Sequence, residues 1–335
     1  MDRNIFFTNK EKRVATVTAV VFTSIVFTGI FGIFKSDTKF LKHQTASPIT
    51  SEAKVEVPEK EFPNTTLEAR AAVVWDVQNK KVLFEKNSNE PLPLASLTKV
   101  MSAIVASAIV PDSTIISIDA NSLREEGDTG LYLDEKWKLR DLLDFSLLTS
   151  SNDGMRAIAS TAGASYSSTT QQEGWGVFIK AMNEKAKELG LSNTEFYNES
   201  GLDVNTEVSG GYGSALDTAL LFDHIIRTDP SIIEATKYAT LPLTSLDGLN
   251  HTAQNTNKVA FDIPGLIASK TGYTILAGGN LVIVFNPGLN RPIVISVLGS
   301  SFEGRFTDTL ALVEATMNYL RDDDPETQTV AENKQ

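Results

Sequence analysis

The 335-residue chain contains no cysteine and only three histidines. Without cysteine there is no disulfide framework, no thiol nucleophile and no Cys-based zinc site. His43, His224 and His251 are too widely separated to form an H-x-x-x-H pair, which argues against a His-based zinc hydrolase. Basic charge is in deficit. Thirty Lys+Arg against 42 Asp+Glu give a net charge of −12, the opposite of a nucleic-acid-binding surface, so no nucleic-acid partner is expected. No repeat period is visible, and 41% hydrophobic residues exclude the fibrous and wholly disordered classes.

One long apolar run is present. Residues 14–34 (VATVTAVVFTSIVFTGIFGIF) carry no charge, enough helix to cross a hydrocarbon core of about 30 Å. The run ends in Phe34-Lys35-Ser36-Asp37 without an A-x-A cleavage pattern, so an uncleaved signal anchor is expected rather than a cleaved signal peptide. Residues 1–13 then form a short cytoplasmic tail. Residues 1–35 hold five Lys/Arg and two Asp/Glu, which leaves 25 against 40 beyond them, a distinctly acidic remainder. Residues 35–65, with Pro48, Pro58 and Pro63 among polar residues, read as a flexible tether, and residues 321–335 as a polar tail. Asp322, Asp323 and Asp324 are read as solvated rather than as a metal site.

Residues 66–320 alternate strand and helix patterns within one domain. Apolar segments at 71–76 and 81–85 are joined by Gln78-Asn79-Lys80, a hairpin signal. Helical periodicity follows at 96–110, 139–149, 153–162, 175–189 and 214–227. Strands return at 280–286 and 292–298, before a last helix at 306–320. Strands at both ends around a helical middle predict an α+β fold whose antiparallel sheet is built from the two ends of the domain.

Without Cys or metal, the plausible nucleophiles are Ser, Thr and Lys. His224 lies in a helical pattern and reads as packed or surface, while His251 lies in a polar loop with no G-x-S-x-G to partner it. A histidine-free serine mechanism fits better. In Ser96-Leu97-Thr98-Lys99 the hydroxyl and amine share a helical face, and the serine sits at the helix N-terminus. The lysine can serve as base only when neutral, which burial together with a second cation, Lys270, is expected to secure. The S-x-x-K pattern alone is weak, since Ser51-Glu52-Ala53-Lys54 repeats it in the tether. Two further motifs strengthen it: Ser150-Ser151-Asn152, 54 residues on, and Lys270-Thr271-Gly272, a further 120 residues on and placed just before the late strands. The run Ser209-Gly210-Gly211-Tyr212-Gly213 is read as a turn, not a phosphate cradle.

The stretches PLPLASLTKVMSAIV, LLTSSNDGMRAIA, NTEFYNESGLD and SKTGYT, with Asn255-Thr256-Asn257 and Arg305, resemble the D-alanyl-D-alanine carboxypeptidases of the low-molecular-mass penicillin-binding proteins. The likeness covers residues 66–320 and implies the β-lactamase/transpeptidase-like fold, with no cofactor and no metal. It further implies Ser96 as nucleophile, Lys99 as its base and Ser150 as proton relay. Asn152 would hold the substrate amide; Lys270, Thr271 and Arg305 would bind the terminal carboxylate. The Gly272-Tyr273 segment would line the site, the Tyr273 and Ser96 N–H groups forming an oxyanion hole. The implied partners are peptidoglycan pentapeptide stems, with β-lactams as inhibitors, and the implied location is the outer side of a bacterial cell membrane.

Ser151 stands where many of these enzymes have Gly, and Ile267-Ala268-Ser269 replaces an Asp-Gly-hydrophobic approach to Lys270. The family's second β-domain and C-terminal amphipathic anchor are not expected in the residues after Leu320, the N-terminal span taking the anchor's place. Rival readings are a D,D-endopeptidase on wall cross-links, a serine β-lactamase, and a non-catalytic penicillin- or wall-binding protein. The lactamase would need an E-x-x-L-N segment, and EFYNESGLD holds Glu195 and Glu199 without that spacing.

Overall fold

The computed structural model describes residues 60–288 and 290–321. The cytoplasmic tail, the span at 14–34, the tether to residue 59 and the tail from 322 lie outside the described residues. Among the described residues no helix is long and apolar enough to cross a membrane.

The chain opens with the hairpin β1 (Ala71–Asp76) and β2 (Lys81–Lys86). Asp76 shapes its turn by accepting the N–H groups of Gln78 and Asn79, each at 3.0 Å. Next come β3 (Leu92–Pro93), a 3-10 turn (Ala95–Leu97), α1 (Thr98–Ile109), and the pair β4 (Ile115–Ser117) and β5 (Lys136–Lys138). The helical middle continues with α2 (Leu139–Thr149), α3 (Asn152–Ser167) and α4 (Gln171–Glu188). Helix α4 starts four residues before the apolar period becomes legible. A capping box between Thr170 and Glu173 launches it, and Gly174 and Gly176 blur the pattern in its first turns.

Beyond it lie β6 (Glu195–Phe196), β7 (Gly211–Gly213), α5 (Ala215–Thr228), the short α6 (Ser231–Glu234), and the hairpin β8 (Thr240–Thr244) and β9 (Asn250–Gln254). The last elements are β10 (Leu266–Thr274), β11 (Gly278–Phe285), β12 (Ile293–Ser300) and α7 (Gly304–Arg321).

The main sheet has the order β10-β11-β12-β1-β2 and is antiparallel throughout, so the two ends of the domain meet where Ala71–Asp76 pairs with Ile293–Leu298. Its central strands are buried on both faces. Val73, Val282, Val284 and Val294 pack toward the helical middle, while Val74, Leu281, Ile283 and Ile295 pack toward α7. That double burial is why NLVIVF and IVISVL read as largely apolar runs, interrupted only by Asn280 and Ser296.

Three placements differ from the sequence reading. Lys270-Thr271-Gly272 lies inside the edge strand β10, not ahead of the strands; its polar and glycine residues mask a strand pattern. Gly211–Gly213 is a strand pairing with β3 and β6, where the missing side chains let the backbone close on Thr98. His251 is in β9, not a loop: NHTAQ is polar because most of that strand faces out.

Candidate active site

Ser96 sits on a sharp strand-to-helix turn. The preceding residue, Ala95, has φ +48°, a left-handed conformation unfavourable for a side-chain-bearing residue. Leu94 N–H donates to the Gly211 carbonyl at 2.9 Å, and Asn280 Nδ2 donates to the Pro93 and Leu94 carbonyls at 2.9 and 3.1 Å. Two glycines close on this turn. A Cβ on Gly201 would collide with the Ala95 carbonyl, and one on Gly272 would lie 2.8 Å from the Leu94 carbonyl. The turn is thus clamped by two separate segments, and Ser96 stays half-buried.

One helical turn on, Lys99 is fully buried. Its Nζ lies 2.8 Å from Ser96 Oγ, 2.6 Å from Asn152 Oδ1 and 2.8 Å from the Ser200 carbonyl. An ammonium can donate to all three, whereas a neutral amine donates to two and accepts the Ser96 proton through its lone pair. The same geometry therefore serves both protonation states. Burial brings the Lys99 amine down from 10.5 to about 7, against the opposing pull of Glu199 and Glu125.

Ser150 caps the C-terminus of α2 in a left-handed conformation, φ +66°. Its hydroxyl accepts from Lys270 Nζ at 2.9 Å, and Lys270 also donates to the Thr271 carbonyl at 3.0 Å. Lys270 is buried, and burial holds its amine well below the usual lysine range, with repulsion from Lys99 and then Arg305 adding to it. Burial is the largest cause of the depression at both amines, and the repulsion between them acts on the pair. Asn152 opens α3, and its Nδ2 is tied to the Glu126 carbonyl at 2.6 Å, which turns Oδ1 toward Lys99. Ser151 is the N-cap of α3, accepting from Gly154 N–H at 3.0 Å and pairing with Thr129 Oγ1 at 2.7 Å.

The strand β10 forms the other wall. Thr271 Oγ1 pairs with Thr256 Oγ1 at 2.6 Å, joining the third motif to the Asn255-Thr256-Asn257 turn, whose Thr256 N–H donates to the Leu148 carbonyl. Arg305 is buried behind this wall. Its Nη1 donates to the Gly272 carbonyl at 2.8 Å, and its guanidinium lies 4.5 Å from the Phe302 ring and 4.7 Å from the Phe306 ring. Tyr273 is half-exposed and meets Phe302 edge-on. Beside it is a cavity of about 440 Å³ lined by Glu126, Leu202, Asp203, Asn205 and Ile275.

All three motifs thus converge. Gly201, Asn280 and the Ser200 carbonyl were not identifiable from sequence, because each acts through a contact with a segment distant in the chain. His224 stays in α5, and His251 pairs with Glu135 at 2.7 Å among Trp137, Phe145 and Tyr132, apart from the serines. The Glu199 carboxylate is engaged by Trp175 Nε1 at 2.6 Å and by Arg156 at 3.8 Å. Among the described residues no group of three or more His, Asp and Glu is clustered to hold a metal.

A sheet closed from both ends, a helical middle and a buried serine–lysine pair between them define a penicillin-binding, transpeptidase-like fold. The comparisons narrow the class. The profile of the D-alanyl-D-alanine carboxypeptidase family matches residues 55–301, and the chain belongs to that family. It is 34% identical over 240 residues to the D-alanyl-D-alanine carboxypeptidase DacF of Bacillus subtilis, covering 70% of this chain and 58% of that relative. It is 30% identical over 251 residues to a D-alanyl-D-alanine endopeptidase of Escherichia coli, covering 71% and 72%. Among solved structures, penicillin-binding protein D2 of Listeria monocytogenes in its cefotaxime-bound form aligns with TM-score 0.62 and 30% identity over 76% of this chain and 98% of that one. A D-alanyl-D-alanine carboxypeptidase of Mycobacterium tuberculosis aligns with TM-score 0.67 and 26% identity over 78% and 95%. The chain spans just under three fifths of the length of the Bacillus relative.

Proposed function

We propose that this protein is a serine-type D-Ala-D-Ala carboxypeptidase that removes the terminal D-alanine from peptidoglycan pentapeptide stems and is trapped by β-lactams. The observation that carries the reading is the Lys99 amine, buried and within hydrogen-bond distance of Ser96 Oγ, with Ser150 and Lys270 forming a second hydroxyl–amine pair in the same cleft. Ser96 Oγ attacks the carbonyl of the penultimate D-alanine as its proton passes to neutral Lys99. The Ser96 and Tyr273 N–H groups stabilise the oxyanion. The proton then reaches the leaving amine through Ser150, the C–N bond breaks, and D-alanine departs. Water repeats the sequence on the acyl-enzyme and restores Ser96. Asn152 holds the substrate amide. Lys270 and Thr271 receive the terminal carboxylate, Gly272 lets the strand approach Ser96, and Arg305 adds positive field behind it.

The run at 14–34 anchors the protein in a bacterial cell membrane with the catalytic domain outside, which is where such a substrate lies. The D-alanyl-D-alanine endopeptidase relative favours one second reading, cleavage of wall cross-links through the same acyl-enzyme. Intact-mass spectrometry of the full-length chain with benzylpenicillin tests the chemistry. A long-lived adduct is expected on the wild type and none on Ser96→Ala, with D-alanine release from a pentapeptide assayed alongside. No adduct on the wild type would overturn the reading, and rapid drug destruction would make it a β-lactamase.

A further inference from the structure

Behind Lys99 lies a set of charged groups that the proposed reaction does not use. Glu199 is 1% exposed, its carboxyl group clamped between Trp175 on α4 and Arg156 on α3. The Arg156 guanidinium lies 4.4 Å from the Trp175 ring centroid and reaches Glu125 at 3.8 Å, so one arginine joins two carboxylates. The backbone of the same segment is stapled to α1 at two points. The Glu199 carbonyl accepts from Ser102 Oγ at 2.7 Å, and the next carbonyl, that of Ser200, accepts from Lys99 Nζ at 2.8 Å.

We propose that Glu199 is a positioning residue for acylation: its clamped carboxylate fixes the Ser200 carbonyl against Lys99 and, with Glu125, holds negative charge behind that amine. The inference rests on the acyl-enzyme reading of the cleft. The charged groups around Lys99 come from several elements: Lys270 on β10 with Arg305 of α7 behind it, Asp153 and Arg156 on α3, Glu125 in the loop between β4 and β5, and Glu199. Burial drives the amine toward neutrality, and the two carboxylates oppose it. Without that opposition Lys99 would be neutral over a wider pH range but a weaker base, and proton abstraction is most efficient when the base titrates near the working pH.

The test is the pH dependence of acylation by benzylpenicillin, measured on the full-length wild type, Glu199→Gln and Glu125→Gln. Glutamine keeps an oxygen for Trp175 and removes only the charge. The wild-type acid limb is expected near the Lys99 value of about 7. In Glu199→Gln it moves down by about one pH unit while the plateau falls severalfold. Glu125→Gln, at a more exposed site, moves it the same way by less. A rate lowered equally at every pH, with the limb unmoved in both variants, would overturn the proposal and leave Glu199 a packing residue. Should Glu199→Gln fail to fold, an unmoved limb in Glu125→Gln overturns it alone. A wild type that takes no adduct would overturn the acyl-enzyme reading itself, and this inference with it.

Discussion

Two buried charge clusters in this protein are built on opposite rules. At the β1–β2 turn, Asp76 accepts from two backbone N–H groups, from Asn79 Nδ2 at 2.8 Å and from Arg291 Nε at 2.7 Å. Burial alone would push its carboxyl up, but the Asn79 and Arg291 contacts outweigh burial and hold it below the usual range. In the cleft, the contacts of Lys99, Lys270 and Arg305 among the described residues are hydroxyls, an amide, carbonyls and rings, with no carboxylate in hydrogen-bond contact there. Paired charge at the turn favours the fold. Gathered, unpaired cations in the cleft work against it while leaving one amine neutral and a positive field for an anionic substrate.

The sharpest way to separate the two is Lys99→Met. Loss of the base is expected to slow acylation by about 10³-fold or more. Stability should move the other way. The folded Lys99 titrates at about 7 and the unfolded one at 10.5, so its cost is fully present below pH 7 and is relieved as pH rises toward 10.5. At about 1.4 kcal/mol per pH unit the ceiling on the gain is roughly 5 kcal/mol. The net gain is smaller, because Asn152 and Ser200 lose a donor. Denaturant melts at pH 6.5 and 9.5 check the sign: the variant's advantage must shrink at the higher pH.

Asp76→Ala should do the reverse. Removing the acceptor of the Gln78 and Asn79 N–H groups and breaking the ion pair with Arg291 is expected to cost about 3 kcal/mol, with acylation per folded molecule unchanged. The lowered carboxyl stabilises the fold above about 3.8, its unfolded value, and that contribution is lost as pH falls through the folded value. The stability gap between wild type and variant, followed from pH 6 to pH 3, should therefore narrow.

The contrast also explains what the sequence could disclose. The hairpin, the late strands and the helix at 139–149 follow from apolar period and turn residues, which are local. The three motifs could be picked out because the chemistry needs those residue types in that order. Other features depended on contacts distant in sequence. The left-handed Ala95 is held by Gly201 and Gly272, more than 100 residues away, and β10 is polar because it carries Lys270 and Thr271 into the cleft. Glu199 was weighed for a lactamase water, and its real partners, Trp175 and Arg156, lie on two other helices. Where a residue's partner is local, sequence reveals it; where a tertiary contact overrides propensity, it does not.

Lys270→Gln probes the cleft more gently. It removes a cation expected to meet the substrate carboxylate, so capture of carboxylate-bearing substrates and β-lactams should weaken about 10- to 100-fold. Because burial sets Lys99, the acid limb of acylation should stay in place. A limb that moved upward would mean that Lys270 does hold Lys99 neutral, and the two lysines would have to be treated as one titrating pair.

The smallest effect belongs to Ser151, which joins the two kinds of order. Its hydroxyl caps α3, a role any fold needs, and also holds Thr129 in the loop whose Glu126 carbonyl fixes Asn152. Ser151→Ala should cost about 1 kcal/mol, the usual loss for an N-cap, whereas Ser151→Gly should cost only a few tenths, since glycine is tolerated at that position. Both variants break the tie to Thr129 equally. If Gly and Ala prove equally destabilising, the Thr129 contact rather than the cap accounts for the loss, and acylation should fall in step with stability. If they differ as expected, the cap is the structural element, and the activity of the two variants, measured per folded molecule, should be alike.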